Sequence, residues 1–163
     1  MLRSDDAPLA IALGANLPYA DVGPRQTLQV VRPLLTVVLN DWAGGPLQLR
    51  WSPLLKSTPV GGPSGQPPYW NAVVVVHGLL ATPSNEAAMR LLGALHQLES
   101  QFGRQRSLEQ RWGPRTLDLD LLFWGEHRME HPQLVLPHPR LHLRGFVLEP
   151  LLAAMNQSSE WID

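Results

Sequence analysis

Apolar positions follow two rhythms along this chain. Residues 9–13 form a short apolar run that stops at Gly14-Ala15-Asn16, which predicts a buried first strand ending in a tight turn. Residues 24–39 set Leu28, Val31, Leu35 and Val38 at helical spacing, and Pro24 suits a first helical position. Pro33 interrupts that pattern and predicts a kink or a late start. After Gly44-Gly45-Pro46, residues 47–55 predict a second strand, with Pro53 pushing its end towards a sheet edge. Residues 69–76 carry four successive valines after Tyr69-Trp70-Asn71-Ala72. That predicts a strand buried on both faces, hence a central one. Thr82 and Pro83 predict the cap and first position of a helix to residue 101, its apolar face made of Ala87, Leu91, Ala94, Leu95 and Leu98. Residues 117–124 alternate again, Leu117, Leu119 and Leu121 against Asp118, Asp120 and Leu122, and predict a last strand. A turn at Gly125-Glu126, a loose segment to residue 136 and a short helix over residues 146–155 complete the expectation.

This order is strand, helix, strand, strand, helix, strand, then a small helical tail. It predicts an α+β fold of βαββαβ type, a ferredoxin-like sandwich with a mainly antiparallel sheet and helices packed on it. A length of 163 residues fits one domain, 1–163. Two stretches stay irregular. Residues 58–68 are rich in Gly and Pro, and residues 104–116 are rich in Arg. Loops of that size in a compact domain tend to bind or cover a ligand, although a plain connector has the same composition.

Composition narrows the function classes. The chain is 44% hydrophobic and 17% charged, with a net charge of −1. Neither general nucleic-acid binding nor membrane-surface binding follows from that balance. No cysteine is present, which excludes disulfides, Cys-ligated metals and thiol nucleophiles. No apolar run is long enough to span a bilayer, so a soluble cytoplasmic protein is the expectation. Twelve of the thirteen basic residues are Arg, and Arg104, Arg106, Arg111 and Arg115 fall in one short segment.

That segment runs into the candidate chemistry. Alternation places Asp118 and Asp120 on one strand face, roughly 6–7 Å apart. Strands are poor in Asp, and two neighbouring carboxylates repel unless something offsets their charge. A hard cation such as Mg²⁺ takes one or two carboxylates together with phosphate oxygens and water. Guanidinium groups just upstream suit phosphate oxygens. Metal and arginines converging suggest a polyphosphate. The same pair also fits an exposed edge face whose salt-bridge partners are those arginines. Elsewhere, His96 and Glu99 share a helix side, His138 is held between two prolines, and Arg144 precedes a predicted helix, where anions are favoured. Asn71 opens an otherwise apolar strand beside Tyr69 and needs partners for its amide. Asn16 offers a donor and an acceptor, in what otherwise reads as a simple turn.

Four motifs, taken together, resemble the hydroxymethyldihydropterin pyrophosphokinase family of folate synthesis. They are Leu13-Gly14-Ala15-Asn16-Leu17, the stretch from Thr58-Pro59 to Gln66-Pro67-Pro68-Tyr69-Trp70-Asn71, the run from Arg111 to Asp120, and Leu136-Pro137-His138 with Arg144-Gly145-Phe146. The resemblance spans residues 8 to about 155. It implies an attack by the hydroxymethyl oxygen of 6-hydroxymethyl-7,8-dihydropterin on the β-phosphorus of ATP, releasing AMP. By resemblance, Asp118 and Asp120 hold two Mg²⁺ ions and Arg104, Arg106 and Arg115 stabilise charge on the phosphates. Trp112 positions the nucleotide loop, and His96, Glu99, Leu121, His138 and Arg144 line the ATP site. Thr58, Pro59, Gly61, Tyr69, Asn71 and Phe146 line the pterin site. A monomer is implied on the same ground. Ala15 stands where the family commonly has Ser, and Gln133, Val135 and Pro139 depart at positions near the nucleotide.

Two other readings use the same features. A metal-dependent phosphohydrolase would need the carboxylates but no acceptor. A ferredoxin-like RNA-binding module would need exposed aromatics on central strands and a basic face; the net charge of −1 and the acidic strand count against it.

Overall fold

The computed structural model describes residues 7–58, 64–105 and 114–141, together with Leu151 and Ala154. The elements are β1 (Leu9–Ala15), α1 (Pro24–Ala43), β2 (Gln48–Trp51), β3 (Leu55–Ser57), β4 (Tyr69–His77), α2 (Asn85–Gln101), β5 (Asp118–Trp124), β6 (Met129–His131) and β7 (Leu134–Leu136). Among the described residues, two long helices and a five-stranded antiparallel sheet make this an α+β protein. The strand order is β2-β4-β1-β5, and β3 also pairs with β4.

The valine run behaves as its composition predicts, because β4 lies between β1 on one side and β2 and β3 on the other. Ala72, Val74 and Val76 join the main core with Leu9, Ile11 and Leu13 of β1. Leu28, Val31, Leu35 and Leu39 of α1 and Leu91, Leu95 and Leu98 of α2 fill the same core. Val73 and Val75 point the other way, into a smaller cluster with Ala10, Leu122, Leu151 and Ala154. The sheet therefore has a helix-covered face and a second face, on which every other strand residue emerges.

Four predicted boundaries move, each for a local reason. Helix α1 runs unbroken past Pro33 and closes at Gly44, whose φ is +80°. Burial of four large apolar side chains, at about 2 kcal/mol each, outweighs the roughly 3 kcal/mol that an interior Pro costs, and Pro33 itself is exposed. The predicted second strand is split into β2 and β3. Ser52 still bonds Val73 through its N–H (2.9 Å) and accepts from the Val73 N–H with its hydroxyl (2.8 Å), but Pro53 has no N–H to continue the ladder. Helix α2 is capped by Ser84, not Thr82: the Ser84 Oγ accepts from the Ala87 N–H at 3.1 Å. Pro83 thus stands before the cap. Finally, the segment expected to be loose before residue 136 holds the hairpin β6–β7, with Met129, Leu134 and Leu136 buried on its inner side. The predicted tail helix lies outside the described residues except at Leu151 and Ala154, both packed on the second face of the sheet.

Candidate functional site

The predicted carboxylates emerge on the second face of the sheet. Leu119 and Leu121 of β5 point into the helix-side core, so Asp118 and Asp120 point away from it. The register is informative. Asp118 pairs with Gly14, Gly14 with Asn71, and Asn71 with Leu55. Directly paired residues share a face, so Asp118 and Asn71 stand in one row, two strand spacings or about 10 Å apart. Gly14 lies between them with no side chain. A Cβ at Gly14 would sit 3.6 Å from Asn71 Oδ1 and 3.6 Å from the Tyr69 ring. Both the Asn71 carbonyl and the Tyr69 edge therefore border a notch that Gly14 leaves open.

Arginines gather on Asp118. Its Oδ1 lies 2.7 Å from Arg104 Nη1 and 3.3 Å from Arg115 Nη1. Burial pushes the pKa of Asp118 up, but the charges of Arg104 and Arg115 and a hydrogen bond from Arg104 together hold it below the ordinary carboxylate value. Asp118 is ionised at neutral pH as a result. Arg104 is itself almost fully buried and bridges three groups: Glu99 Oε2 at 2.5 Å, the Leu117 carbonyl at 3.2 Å and Asp118. Glu99 also accepts from the Leu119 N–H at 2.8 Å. Buried charges are stable only when paired and hydrogen-bonded in this way. The resemblance places Glu99 along the nucleotide site, and the structure shows it as a buried partner of Arg104. At 1% exposure it sits beneath the carboxylate row and fixes Arg104 and the start of β5. Arg115 is the more accessible arginine, with 23% of its side chain exposed.

Other predicted residues sort clearly. The Leu121 side chain is in the core, so only its backbone can contribute to the second face. His138 is half-buried and tied to β5 through its N–H, which donates to the Leu122 carbonyl at 2.7 Å. His96 is half-buried on α2, one turn before Glu99. Thr58 is exposed just beyond β3. Asn71 is buried, and its amide N–H₂ donates to the Leu55 carbonyl (3.3 Å) and to Ser57 Oγ (2.7 Å). That leaves its carbonyl as the group facing Gly14. Pro59, Gly61, Arg106, Trp112, Arg144 and Phe146 lie outside the described residues.

Asn16 belongs to the first motif and offers a donor and an acceptor, yet sequence alone assigned it no partner and no site role. It is 1% exposed. Its Oδ1 accepts from the Arg115 N–H (2.8 Å), and its Nδ2 donates to the Pro67 carbonyl (3.1 Å) and to Gln66 Oε1 (3.3 Å). One amide thus ties the end of the arginine segment to the end of the Gly/Pro stretch. Its bifunctional side chain was the available signal, but its partners are 50 or more residues distant.

Two carboxylates on one strand face form an open donor set. No group of three or more His, Cys, Asp or Glu able to hold a metal occurs among the described residues. The buried hydroxyl of Thr116, two residues before Asp118, has no hydrogen-bond partner among them either. Such a set suits a hard cation that draws its remaining ligands from phosphate and water, and does not suit a closed protein cage.

A sequence model of the family described as 7,8-dihydro-6-hydroxymethylpterin-pyrophosphokinase matches residues 10–156. Among curated proteins, the chain is 46% identical over 141 residues to 2-amino-4-hydroxy-6-hydroxymethyldihydropteridine pyrophosphokinase of Pseudomonas aeruginosa, covering 86% of this chain and 76% of that protein. Its likeness to the enzyme of that name from Haemophilus influenzae is 40% over 141 residues, covering 86% and 77%. For the Bacillus subtilis enzyme of that name it is 33% over 147 residues, covering 90% and 77%.

Proposed function

This chain belongs to the 7,8-dihydro-6-hydroxymethylpterin-pyrophosphokinase family, and from that premise we propose how its site performs the reaction. The protein is an ATP-dependent diphosphotransferase of folate biosynthesis: it moves pyrophosphate from ATP to the hydroxymethyl group of 6-hydroxymethyl-7,8-dihydropterin and releases AMP. The observation that carries the site assignment is the row Asp118–Gly14–Asn71. It brings an anionic, arginine-backed end and an amide-lined notch within about 10 Å of each other.

At the amide end, the Asn71 carbonyl accepts from a ring N–H of the pterin, while its own N–H₂ is held by Leu55 and Ser57. Tyr69 offers an aromatic surface, and Gly14 lets the flat ring lie against the sheet. Thr58, Pro59, Gly61 and Phe146 complete this pocket in the proposal. At the other end, Asp118 and Asp120 are the groups that would hold two Mg²⁺ ions across the triphosphate. A hard cation held by these carboxylates would supply charge neutralisation to the phosphate oxygens. Arg115, the more accessible of the two arginines on Asp118, is assigned to the phosphates, and Arg104, locked by Glu99, keeps Asp118 ionised and aimed. Arg106, Trp112, His96, His138 and Arg144 are assigned to the nucleotide. No strong general base is assigned to the hydroxymethyl group. Alignment of acceptor and β-phosphorus supplies most of the acceleration, since effective molarities on the order of 10⁵ M or more are available from positioning.

The strand order β2-β4-β1-β5 with antiparallel pairing supports a ferredoxin-like assignment. We also assign a single domain, a monomer, a cytoplasmic location and no nucleic-acid partner. No helix among the described residues is long and apolar enough to cross a membrane. The test mixes protein, ATP and Mg²⁺ with and without the hydroxymethylpterin and follows AMP. AMP should appear only with the pterin; phosphate release without it would favour a hydrolase.

A further inference from the structure

The loop between β1 and α1 contains a tight two-residue turn that the reaction, as described so far, does not use. Tyr19 and Val22 exchange both backbone hydrogen bonds, Tyr19 N–H to Val22 O at 3.0 Å and Val22 N–H to Tyr19 O at 2.9 Å. The two residues between them, Ala20 and Asp21, have φ of +52° and +64°. A turn with both central residues left-handed normally carries Asn-Gly. Alanine there is strained, and strain of this kind persists where something else requires the geometry.

What the turn delivers is the Tyr19 ring. The ring lies over Gly103, the last residue before Arg104. A Cβ added at Gly103 would come within 2.6 Å of Tyr19 Cδ2, closer than real Cβ contacts allow. The ring also meets Phe102 edge-on, at 6.3 Å between centroids. Gly103 has φ of +81°, the left-handed step that ends α2 and turns the chain so that the Arg104 N–H still reaches the Glu99 carbonyl at 3.3 Å. Gly103 is therefore restricted twice, by its backbone and by the ring. The same loop grips the far end of the arginine segment, because the N–H groups of Asn16 and Leu17 both donate to the Arg115 carbonyl at 3.0 and 3.1 Å.

We propose that Tyr19 is a positioning residue for the phosphate end of the site: its ring on Gly103 fixes the backbone step from which Arg104 reaches Asp118. The inference rests on the reading of Asp118 and its arginines as the phosphate end. Tyr19 touches neither substrate. It acts by keeping the Gly103 step in one conformation, so that the Arg104 guanidinium holds Asp118 in one orientation.

The test measures kcat, the KM values for ATP and pterin, and Tm for Tyr19→Ala, Tyr19→Phe and Asp118→Ala. Tyr19→Phe keeps the ring and should stay within about twofold of the parent, whereas Tyr19→Ala should lower kcat roughly tenfold or more, as small misplacements in aligned sites do. Its pterin KM should not change, and its Tm should fall by only a few degrees, since Tyr19 is 38% exposed. Tyr19→Leu, with bulk but no flat ring, should resemble Tyr19→Ala and stands in if that variant fails to fold. Parent kcat in Tyr19→Ala or Tyr19→Leu, or a fall in Tm with kcat unchanged, overturns the proposal. An inactive Asp118→Ala beside a fully active Tyr19→Ala sinks this inference alone. An active Asp118→Ala sinks the reading of the site and the inference with it.

Discussion

At Asp118, two guanidinium groups meet one carboxylate oxygen, Arg104 at 2.7 Å and Arg115 at 3.3 Å. The alternation of Asp118 with the core leucines gave its face. Its arginine partners, and the buried Glu99 behind them, come from α2 and from the segment after it, and no local rule pairs them. The structure shows the salt bridges of one reading, since Asp118 meets Arg104 and Arg115, and keeps Asp118 and Asp120 on the shared face that the cation-binding reading requires. Its lowered pKa has a consequence for stability. A carboxylate favoured in the folded state contributes stability above its unfolded pKa and loses it as pH falls through the folded pKa. Asp118→Asn should therefore lower Tm at neutral pH, with the gap to the parent closing on acidification below about pH 4. Thermal unfolding across pH checks this; a gap independent of pH would contradict it. The same variant should lose at least about 100-fold in kcat, more than outer-shell changes at metal sites typically cost.

Among the elements, the long periodic ones were readable and the short ones were not. Helix α1 and the central strand β4 announce themselves through many consecutive core positions. The hairpin β6–β7 has three residues per strand, too few for a period to stand out, and its register comes from packing under β5. The cap of α2 at Ser84 shows that two cap-like residues, Thr82 and Ser84 on either side of Pro83, are told apart only by the hydrogen bond itself. The Tyr19–Val22 turn was invisible, because Ala-Asp is an unusual pair for two left-handed residues. Replacing Ala20 with Gly should remove strain of about 1 kcal/mol and raise Tm by a few degrees. Activity should not change, since the turn still delivers Tyr19. A lower Tm in Ala20→Gly would mean that the turn is not strained.

At the scale of the whole molecule, the proposed site consists of two unlike halves aligned along one sheet row. The valine run was enough to predict a central β4, but the site depends on the neighbours of β1. Because β1 pairs with both β4 and β5, Gly14 lies beside Asn71 and Asp118 at once, residues 47 positions apart in the chain. Sequence suggested each end of the site separately and could not supply that adjacency. Pro59, Gly61, Arg106, Trp112, Arg144 and Phe146 lie beyond the described residues, so the account of the site rests on the row itself. Separate binding of the two substrates tests it most directly. Calorimetry would compare Asn71→Ala and Asp118→Ala for binding of the pterin and of a non-hydrolysable Mg²⁺–ATP analogue. The account predicts a crossed pattern: Asn71→Ala loses the pterin and keeps the nucleotide, and Asp118→Ala weakens the nucleotide and keeps the pterin. Loss of the same ligand in both variants, or of neither, would contradict it.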